Sequence, residues 1–247
     1  DGPDGVPADT ATSATVSSDG NFVAFRAEGQ LVPADTNDKS DVYVRNIKTG
    51  TTVLASRADG IDGVVADESS GDPVISGDGT RVAFRSGASN LGASGSHQEI
   101  FVRDLKAGVT ILASRADGEA GAEADGDSDY PSISFDGSKV AFSTYGKNLN
   151  ADDPANNSSI YVRNLNLNQT QLVSRAPGND GATLPNYNYS PVISGNGSRI
   201  AFVTYDEIAV PATAPWPGGA SQVVLRRLSD GANELAFYAY AYEIYTP

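Results

Sequence analysis

The chain of 247 residues contains one sequence unit that occurs four times. Its turn dipeptides recur at intervals of 59, 58 and 60 residues, as Asp19-Gly20, Asp78-Gly79, Asp136-Gly137 and Asn196-Gly197. One arginine in each unit keeps the same register, as Arg45, Arg103, Arg163 and Arg226. Repetition of this kind is typical of folds in which each unit is one supersecondary module that packs against the next. The fold of the whole chain therefore follows from the fold of one unit.

Each unit carries four short apolar runs, separated by turns that contain glycine. In the second unit these runs are Val74–Ser76, Val82–Arg85, Ile100–Arg103 and Thr110–Ser114. They are rich in β-branched and aromatic residues, which predicts four antiparallel strands, and the lack of a 3.6-residue period predicts almost no helix. Four antiparallel strands repeated about an axis form the blades of a β-propeller. The sequence thus predicts an all-β fold with one propeller domain over residues 1–247, four visible four-stranded blades at about 10–58, 72–116, 130–176 and 190–240, and a terminal strand and tail at 237–247.

The strongest motif is the run P-x-I-S-x-D-G-x-x-V-A-F, which stands at Pro73–Phe84 and Pro131–Phe142 and, with small changes, at Pro191–Phe202. It is followed in each unit by runs close to I-Y/F-V-R-D/N-L and T-x-L-x-S-R. These motifs resemble the TolB-like (WD-type) propeller repeat over essentially the whole chain. The first unit departs from the pattern at Ala14, and the fourth departs more strongly at Phe237-Tyr238, where the others have Ser-Arg. The resemblance implies a propeller fold and a role in protein–protein binding.

The first residues, Asp1–Gly5, are similar to the link Asp59–Gly63 between two units. Two alternatives follow: further blades precede Asp1 in a larger propeller, or the four blades close on themselves. The sequence contains no methionine, so we expect that it begins after a translation start and that a secretory signal would not be visible in it. The 26 glycines, 13 prolines and absence of cysteine favour an extracellular, cell-surface or periplasmic location.

The charge balance excludes several classes of function. Seventeen Lys and Arg residues stand against 31 Asp and Glu, for a net charge of −14. This balance repels phosphate backbones and anionic lipid, so we expect neither nucleic-acid binding nor membrane insertion. The absence of cysteine excludes disulfides and cysteine nucleophiles, and the single histidine, His97, excludes mechanisms that need two imidazoles.

Strand order places the two tight turns of each blade on one side of the propeller and the long connections on the other side. Fourteen acidic residues and no Lys or Arg lie in segments 1–13, 59–72 and 117–129 on that second side. Such a surface either favours a cationic partner or divalent cations, or serves as a solvated face. In repeat proteins, loops grouped on one side are the usual place for binding.

Calcium is the cofactor that these acids could bind. The alternating carboxylates of Asp125, Asp127 and Asp129 could direct several oxygens at one hard cation, although the spacing does not match an EF-hand. Asp35, Asn37 and Asp41 form a weaker candidate, which the intervening Lys39 disfavours. The alternative for both groups is hydrogen bonding within the loops as Asx-turns.

Seven of the cationic residues occupy repeat-equivalent positions: Arg45, Arg103, Arg163, Arg226, Arg57, Arg115 and Arg175. They could form a ring that binds anions. Because the residue recurs in every unit, we favour a structural role in which each guanidinium bridges carboxylates or carbonyls of adjacent blades.

The last strand is apolar on both faces. Tyr238, Tyr240, Tyr242 and Ile244 share one face of it, so they form a candidate interaction surface. The strand either packs on its own blade or pairs with a neighbouring copy of the chain.

We therefore expect a non-catalytic propeller that acts in protein binding or self-assembly, with a partner protein or copies of itself as its contacts. The alternative is a propeller lyase or hydrolase with an acidic, calcium-assisted pocket at the mouth of the channel. Nothing in the sequence pairs His97 with a nucleophile, so no catalytic residue is assigned.

Overall fold

Every sequence unit folds as one four-stranded antiparallel sheet in the computed structural model, which describes residues 10–153, 157–209 and 221–238. Sheet 1 contains β1 (Thr10–Val16), β2 (Phe22–Glu28), β3 (Ser40–Asn46) and β4 (Thr51–Leu54). Sheet 2 contains β5 (Ser70–Ile75), β6 (Arg81–Ser86), β7 (Glu99–Asp104) and β8 (Val109–Leu112). Sheet 3 contains β9 (Ser128–Ile133), β10 (Lys139–Thr144), β11 (Ser159–Asn164) and β12 (Gln169–Leu172). Sheet 4 contains β13 (Asn188–Ile193), β14 (Arg199–Thr204), β15 (Gln222–Arg227) and β16 (Asn233–Tyr238).

Within each sheet the strands pair in the order in which they occur along the chain. The sheets are the blades of a β-propeller, so the predicted all-β fold with four four-stranded blades is confirmed. Short 3-10 turns at Ser89–Leu91 and Glu207–Ala209 are the helical segments of the described residues. None of the helices in these residues is long and apolar enough to cross a membrane.

The tight turns form as the glycine positions predict. In the first turn of sheet 2, Gly79 has a φ of +71°, which a residue with a side chain rarely adopts. The Asp78 carboxylate accepts hydrogen bonds from the hydroxyl of Ser76 at 2.6 Å and from the backbone N–H of Thr80 at 3.0 Å. The same turn recurs in the other three sheets, which fixes the hairpin register once per unit.

Neighbouring sheets pack face to face. We call the face that packs on the preceding sheet the front face, and the opposite one the rear face. Between sheets 1 and 2, the front-face side chains of Phe84 and Phe101 pack with the rear-face side chains of Ala24, Val42 and Val44. Equivalent residues form the cores between sheets 2 and 3 and between sheets 3 and 4. Each sheet therefore depends on the next one for burial of its apolar residues.

The repeated arginines join the sheets through backbone carbonyls. Arg163 donates from Nη1 to Ala116 O and from Nη2 to Gly118 O, both at 2.8 Å, and these carbonyls lie in the link that follows sheet 2. Arg103 and Arg226 make the same pair of bonds to the links before their own sheets. A bidentate guanidinium is well suited to two fixed carbonyls. The bridging role predicted for the arginines is thus confirmed for Arg103, Arg163 and Arg226. The other three link arginines, Arg57, Arg115 and Arg175, instead donate to a carbonyl of their own link, at Gly63, Gly121 and Gly181.

Within the described residues, each of the two end sheets packs against another sheet on one face only. Val16 on the front of sheet 1 is 58% exposed, whereas the equivalent isoleucines of the other sheets are buried: Ile75, Ile133 and Ile193. On the rear of sheet 4, Ala201, Val223 and Leu225 are half-buried, while their counterparts in sheets 1 to 3 are fully buried. In the part of the chain that is described, contacts between sheets join each sheet to the next, with no contact of comparable extent between sheets 4 and 1. We call these two surfaces the end faces.

We predict that Arg163→Met lowers the free energy of unfolding by about 2–4 kcal/mol, because the buried guanidinium is removed and two partly buried carbonyls lose their donor. The matched control is Arg227→Met, which removes exposed ion pairs to Asp230 and Glu234 and should cost less than about 1 kcal/mol. Urea denaturation of both variants at pH 7 measures the difference. Equal losses would show that apolar packing alone holds the sheets together.

Candidate functional site

The four sheets differ from one another where the first two strands of each sheet reach the side of the long connections, which we call the loop face. The residue that follows the second strand, or ends it in sheet 1, is Glu28, Gly87, Tyr145 or Tyr205 in sheets 1 to 4. Two positions before the conserved proline of the first strand stand Thr12, Gly71, Asp129 and Tyr189. The packing cores between the sheets repeat closely, so this variation is confined to a surface that the fold does not constrain.

A bulge in each first strand contributes to this surface. The strand register shifts there, and one non-glycine residue takes a φ of 50–54°: Ser13, Asp72, Tyr130 and Ser190. A left-handed backbone costs roughly 1–2 kcal/mol for a residue with a side chain. Bulges often redirect a side chain at a functional site, and here the redirected side chain differs between sheets.

Five tyrosines line a cavity of about 330 Å³ between sheets 3 and 4, together with Asp129: Tyr130, Tyr145, Tyr187, Tyr189 and Tyr205. We call it the tyrosine pocket. Tyr130, Tyr145, Tyr187 and Tyr205 are 42–55% exposed, so their rings are accessible to a ligand. The rings of Tyr189 and Tyr205 lie 6.3 Å apart with an interplanar angle of 34°. These aromatic side chains form a concave, largely preformed surface.

The lining of the tyrosine pocket includes one acidic side chain, Asp129. Burial raises the pKa of Tyr145, and the neighbouring Tyr187 and Asp129 raise it further. The hydrogen bond with Tyr205 raises the pKa of Tyr189. None of the described residues that line the pocket is Lys or Arg. The phenols of Tyr145 and Tyr189 therefore stay neutral at physiological pH.

A second cavity, of about 700 Å³, lies on the same side between sheets 1 and 2 and is lined by charged residues. We call it the charged pocket. Arg85 pairs there with Asp72 at 3.1 Å and with Asp129 at 2.7 Å. His97 Nδ1 lies 3.6 Å from a carboxylate oxygen of Asp127. Since Asp129 also lines the tyrosine pocket, the Arg85–Asp129 ion pair connects the two cavities.

The three acids of the stronger calcium candidate each contact a different partner. Asp125 accepts the backbone N–H of Lys147 at 2.6 Å, Asp127 accepts that of Gln98 at 2.9 Å, and Asp129 pairs with Arg85. Among the described residues, no group of three acidic or histidine side chains is arranged to hold a metal ion. Calcium binding at this segment stays a prediction.

The weaker calcium group is spread over two hydrogen-bond networks. Asp35 accepts the Tyr43 hydroxyl, and Asp41 accepts the Ser56 hydroxyl at 2.6 Å. The Asn37 side-chain oxygen accepts the N–H of Lys39 at 2.7 Å, which is the local bonding expected of an Asx-turn.

Two buried acids lie at the start of the third strand of sheets 1 and 2: Asp41 in β3 and Glu99 in β7. Asp41 is fully buried and Glu99 is 2% exposed, and each accepts a hydrogen bond from a serine hydroxyl, of Ser56 and Ser114 respectively. Burial raises the pKa of Asp41 to about 6 and that of Glu99 to about 8. Both acids are closed off from solvent, so they serve the packing of the strand rather than an open site.

Of the predicted interaction residues, Tyr238 is the last residue of β16, which pairs with β15. Tyr240, Tyr242 and Ile244 lie outside the described residues. The pairing of this strand with a neighbouring copy therefore stays a prediction. Its neighbour Phe237 is 63% exposed.

The sequence alone did not predict the tyrosine pocket. Its residues are spread over 129–205 and each looks like an isolated departure from the repeat. Aligned by unit, the tyrosines cluster in the third and fourth units next to the same structural positions. That signal was present in the sequence, but it needs the strand bulge and the packing of sheets 3 and 4 to become a site.

Comparison with known proteins gives the fold. No protein-family model and no curated protein matches the chain. Among solved structures, a protein described as TolB from Agrobacterium tumefaciens is 18% identical with a TM-score of 0.58, over 96% of this chain and 69% of that one. An oligogalacturonate lyase in complex with manganese is 14% identical with a TM-score of 0.53, over 97% of this chain and 56% of that one. The tricorn protease is 11% identical with a TM-score of 0.55, over 93% of this chain and 22% of that one.

These proteins include enzymes, and at such identities the likeness shows a TolB-like propeller fold and no shared activity. This chain spans 56% of the lyase and 22% of the protease. The narrower WD-type assignment stays a prediction.

We predict that loss of the Glu99 proton makes the protein less stable at alkaline pH. The pKa of Glu99 is raised from 4.5 to about 8, so its contribution to stability is complete below pH 4.5 and is lost as the pH rises through 8. Glu99→Gln, which stays neutral, should therefore lose less free energy of unfolding between pH 7 and 9 than the unmodified protein. Urea denaturation across that range measures the slopes.

The control is Glu119→Gln, which changes an exposed acid in the link between sheets 2 and 3 and should leave the slope unchanged. Parallel curves for all three proteins would contradict a protonated Glu99.

Proposed function

We propose that this chain belongs to a non-catalytic, extracytoplasmic β-propeller that binds a partner protein on its loop face. The observation that carries the proposal is the tyrosine pocket. It lies where the repeat loses its internal symmetry, and the symmetric part of the fold explains none of its aromatic residues. Tyrosine is enriched at the energetic centres of protein interfaces, because it buries a large rigid ring and keeps a polar end.

The state of the acids on the loop face supports binding over acid–base chemistry. The acids with the strongly raised pKa values, Asp41 and Glu99, are buried. The acids at the surface, Asp72 and Asp129, form ion pairs with Arg85. A general acid or base needs both a suitable pKa and access to substrate, and these residues combine the two poorly.

The charged pocket favours the alternative, a propeller lyase or hydrolase. It places His97 beside Asp127 in an open cavity, an arrangement that acid–base catalysis would use. The oligogalacturonate lyase with the same fold makes acidic sugar chains the first substrates to try. Calcium held by the loop acids would assist such an enzyme.

Self-assembly is the second form that binding could take. The front face of sheet 1 is equivalent by repeat to the front faces that pack on sheets 1 to 3, and the rear face of sheet 4 to the rear faces that receive them. The two end faces of different copies are therefore complementary, as in a head-to-tail contact. A location outside the cytoplasm rests on composition.

We predict that replacing Tyr145 and Tyr187 together by serine abolishes capture of the partner from an envelope and secreted fraction. The expected loss is at least tenfold, since aromatic residues at the centre of an interface commonly contribute 2 kcal/mol or more, about a thirtyfold effect each. Quantitative mass spectrometry of proteins retained by the immobilised chain is the measurement. The matched control is Val109→Ser with Leu167→Ser, two exposed apolar residues on the tight-turn side.

Retention of the same proteins by all three chains would contradict binding at the tyrosine pocket. Turnover of an acidic oligosaccharide that disappears in His97→Ala would instead establish the enzyme.

For the end faces, we predict that the chain of 247 residues self-associates and that Leu225→Lys raises the dissociation constant about tenfold or more, because a charge would be buried in the contact. Leu167→Lys, at an exposed turn, should leave association unchanged. Sedimentation velocity over a hundredfold range of concentration reports the species. A monomer at every concentration would count against self-assembly through these faces.

A further inference from the structure

We propose that the tyrosine pocket receives a lysine or arginine side chain of the bound protein segment. This inference rests on the proposed function, because it names the chemistry by which the partner would be recognised at that site. It adds a ligand class, a cationic side chain, that protein binding alone does not specify.

The first argument is the aromatic lining. Tyr130, Tyr145, Tyr187 and Tyr205 expose their rings around one cavity. The face of an aromatic ring carries negative quadrupole charge and attracts a cation within about 6 Å of its centre. Several rings around one volume are the arrangement by which proteins recognise ammonium groups.

The second argument is charge. Asp129 supplies a carboxylate to the lining, and none of the lining residues is Lys or Arg. The nearest cation identified there, Arg85, is already shared between Asp129 and Asp72, so it does not provide a free positive charge. The raised pKa of Tyr145 has nearby Asp129 and Asp127 among its causes, which agrees with a negative potential in the cavity. A chain with a net charge of −14 would also draw a cationic segment towards it.

The third argument is size and polarity. A cavity of about 330 Å³ lies at the small end of the range for ligand sites, so it suits one long side chain rather than an extended oligomer. The methylene stem of a lysine or arginine would pack on the rings, and its charged end would reach Asp129.

A sugar ring is the competing ligand, since it also stacks on tyrosine. It would need fixed donors and acceptors around its hydroxyls. Two serine hydroxyls of the lining are already engaged: Ser158 donates to Asn188 O at 2.9 Å, and Ser143 donates to Asp129 O at 3.3 Å. The pocket therefore offers faces and negative charge more than it offers a hydrogen-bonding frame, which favours the cation.

The test is a titration of the full chain, with its tyrosine rings labelled with carbon-13, using peptides that differ in one side chain. The peptides are Gly-Ser decamers with a central arginine, its uncharged analogue citrulline, lysine, or its uncharged analogue acetyl-lysine. We expect the ring signals of the pocket tyrosines to shift with the arginine and lysine peptides. Binding of the uncharged peptides should be about fivefold to thirtyfold weaker, the range of a cation–π contribution of 1–2 kcal/mol.

Variants separate the ring from its hydroxyl. Tyr187→Leu should weaken the arginine peptide at least threefold, while Tyr187→Phe, which keeps the ring, should bind within a factor of two of the unmodified protein. Leu167→Ala, remote on the tight-turn side, is the control. Thermal unfolding of each variant verifies that it is folded, and Tyr187→Phe still tests the proposal if Tyr187→Leu does not fold.

Equal binding of charged and uncharged peptides, or no peptide binding at all, would overturn the cationic ligand. So would shifts of the same tyrosines with a neutral oligosaccharide but not with the arginine peptide. If partner capture depends on Tyr145 and Tyr187 while the peptides show no charge preference, protein binding stands and the ligand class is wrong. If the peptides show the preference but no partner protein is captured, the ligand class stands and the proposed function is wrong.

Discussion

Burial of each sheet against its neighbour is the constraint on which the rest of this molecule depends. Each four-stranded sheet presents large apolar residues at its front and small or β-branched residues at its rear, so a single sheet would leave both apolar faces in water. Stacking solves this, because Phe84 and Phe101 of one sheet fill the space over Ala24 of the sheet before it. The guanidinium of Arg103 then fixes how far the sheets lie apart, since its two carbonyl acceptors belong to the preceding link. Packing and hydrogen bonding thus select the same spacing.

These stabilising contacts leave the residues on one side of the molecule, the loop face, free to differ between sheets. The apolar cores hold the sheets together, and the arginine–carbonyl hydrogen bonds hold the links in place. Glycine and Asx hydrogen bonds fix the tight turns. The loop face carries fewer such requirements. Charged residues collect there over sheets 1 and 2, and tyrosines collect over sheets 3 and 4. A ligand that crosses the Arg85–Asp129 pair would meet both kinds of surface.

The sequence was sufficient for features that depend on neighbours along the chain or on the repeat. The strands, the glycine turns and the carbonyl-binding role of Arg163 could each be predicted, because they recur in register and have one physical explanation. The tyrosine pocket could not, since Tyr130 and Tyr205 come together only through a bulge and the packing of two sheets. The acidic run that suggested calcium shows the opposite difficulty. Its alternating carboxylates are close in sequence, yet the fold directs Asp125 and Asp129 to separate partners.

The strand bulge has a consequence for how such a protein can diversify. Residues as different as Ser13, Asp72 and Tyr130 occupy it with nearly the same backbone angle, and the hydrogen-bond ladder resumes on both sides. The rest of the blade therefore stabilises the left-handed backbone at this position, whichever side chain stands there. One codon in each blade can change the chemistry at the loop face without reshaping the blade. Each blade can therefore change its displayed side chain independently of the others, so new binding specificities are accessible by single substitutions.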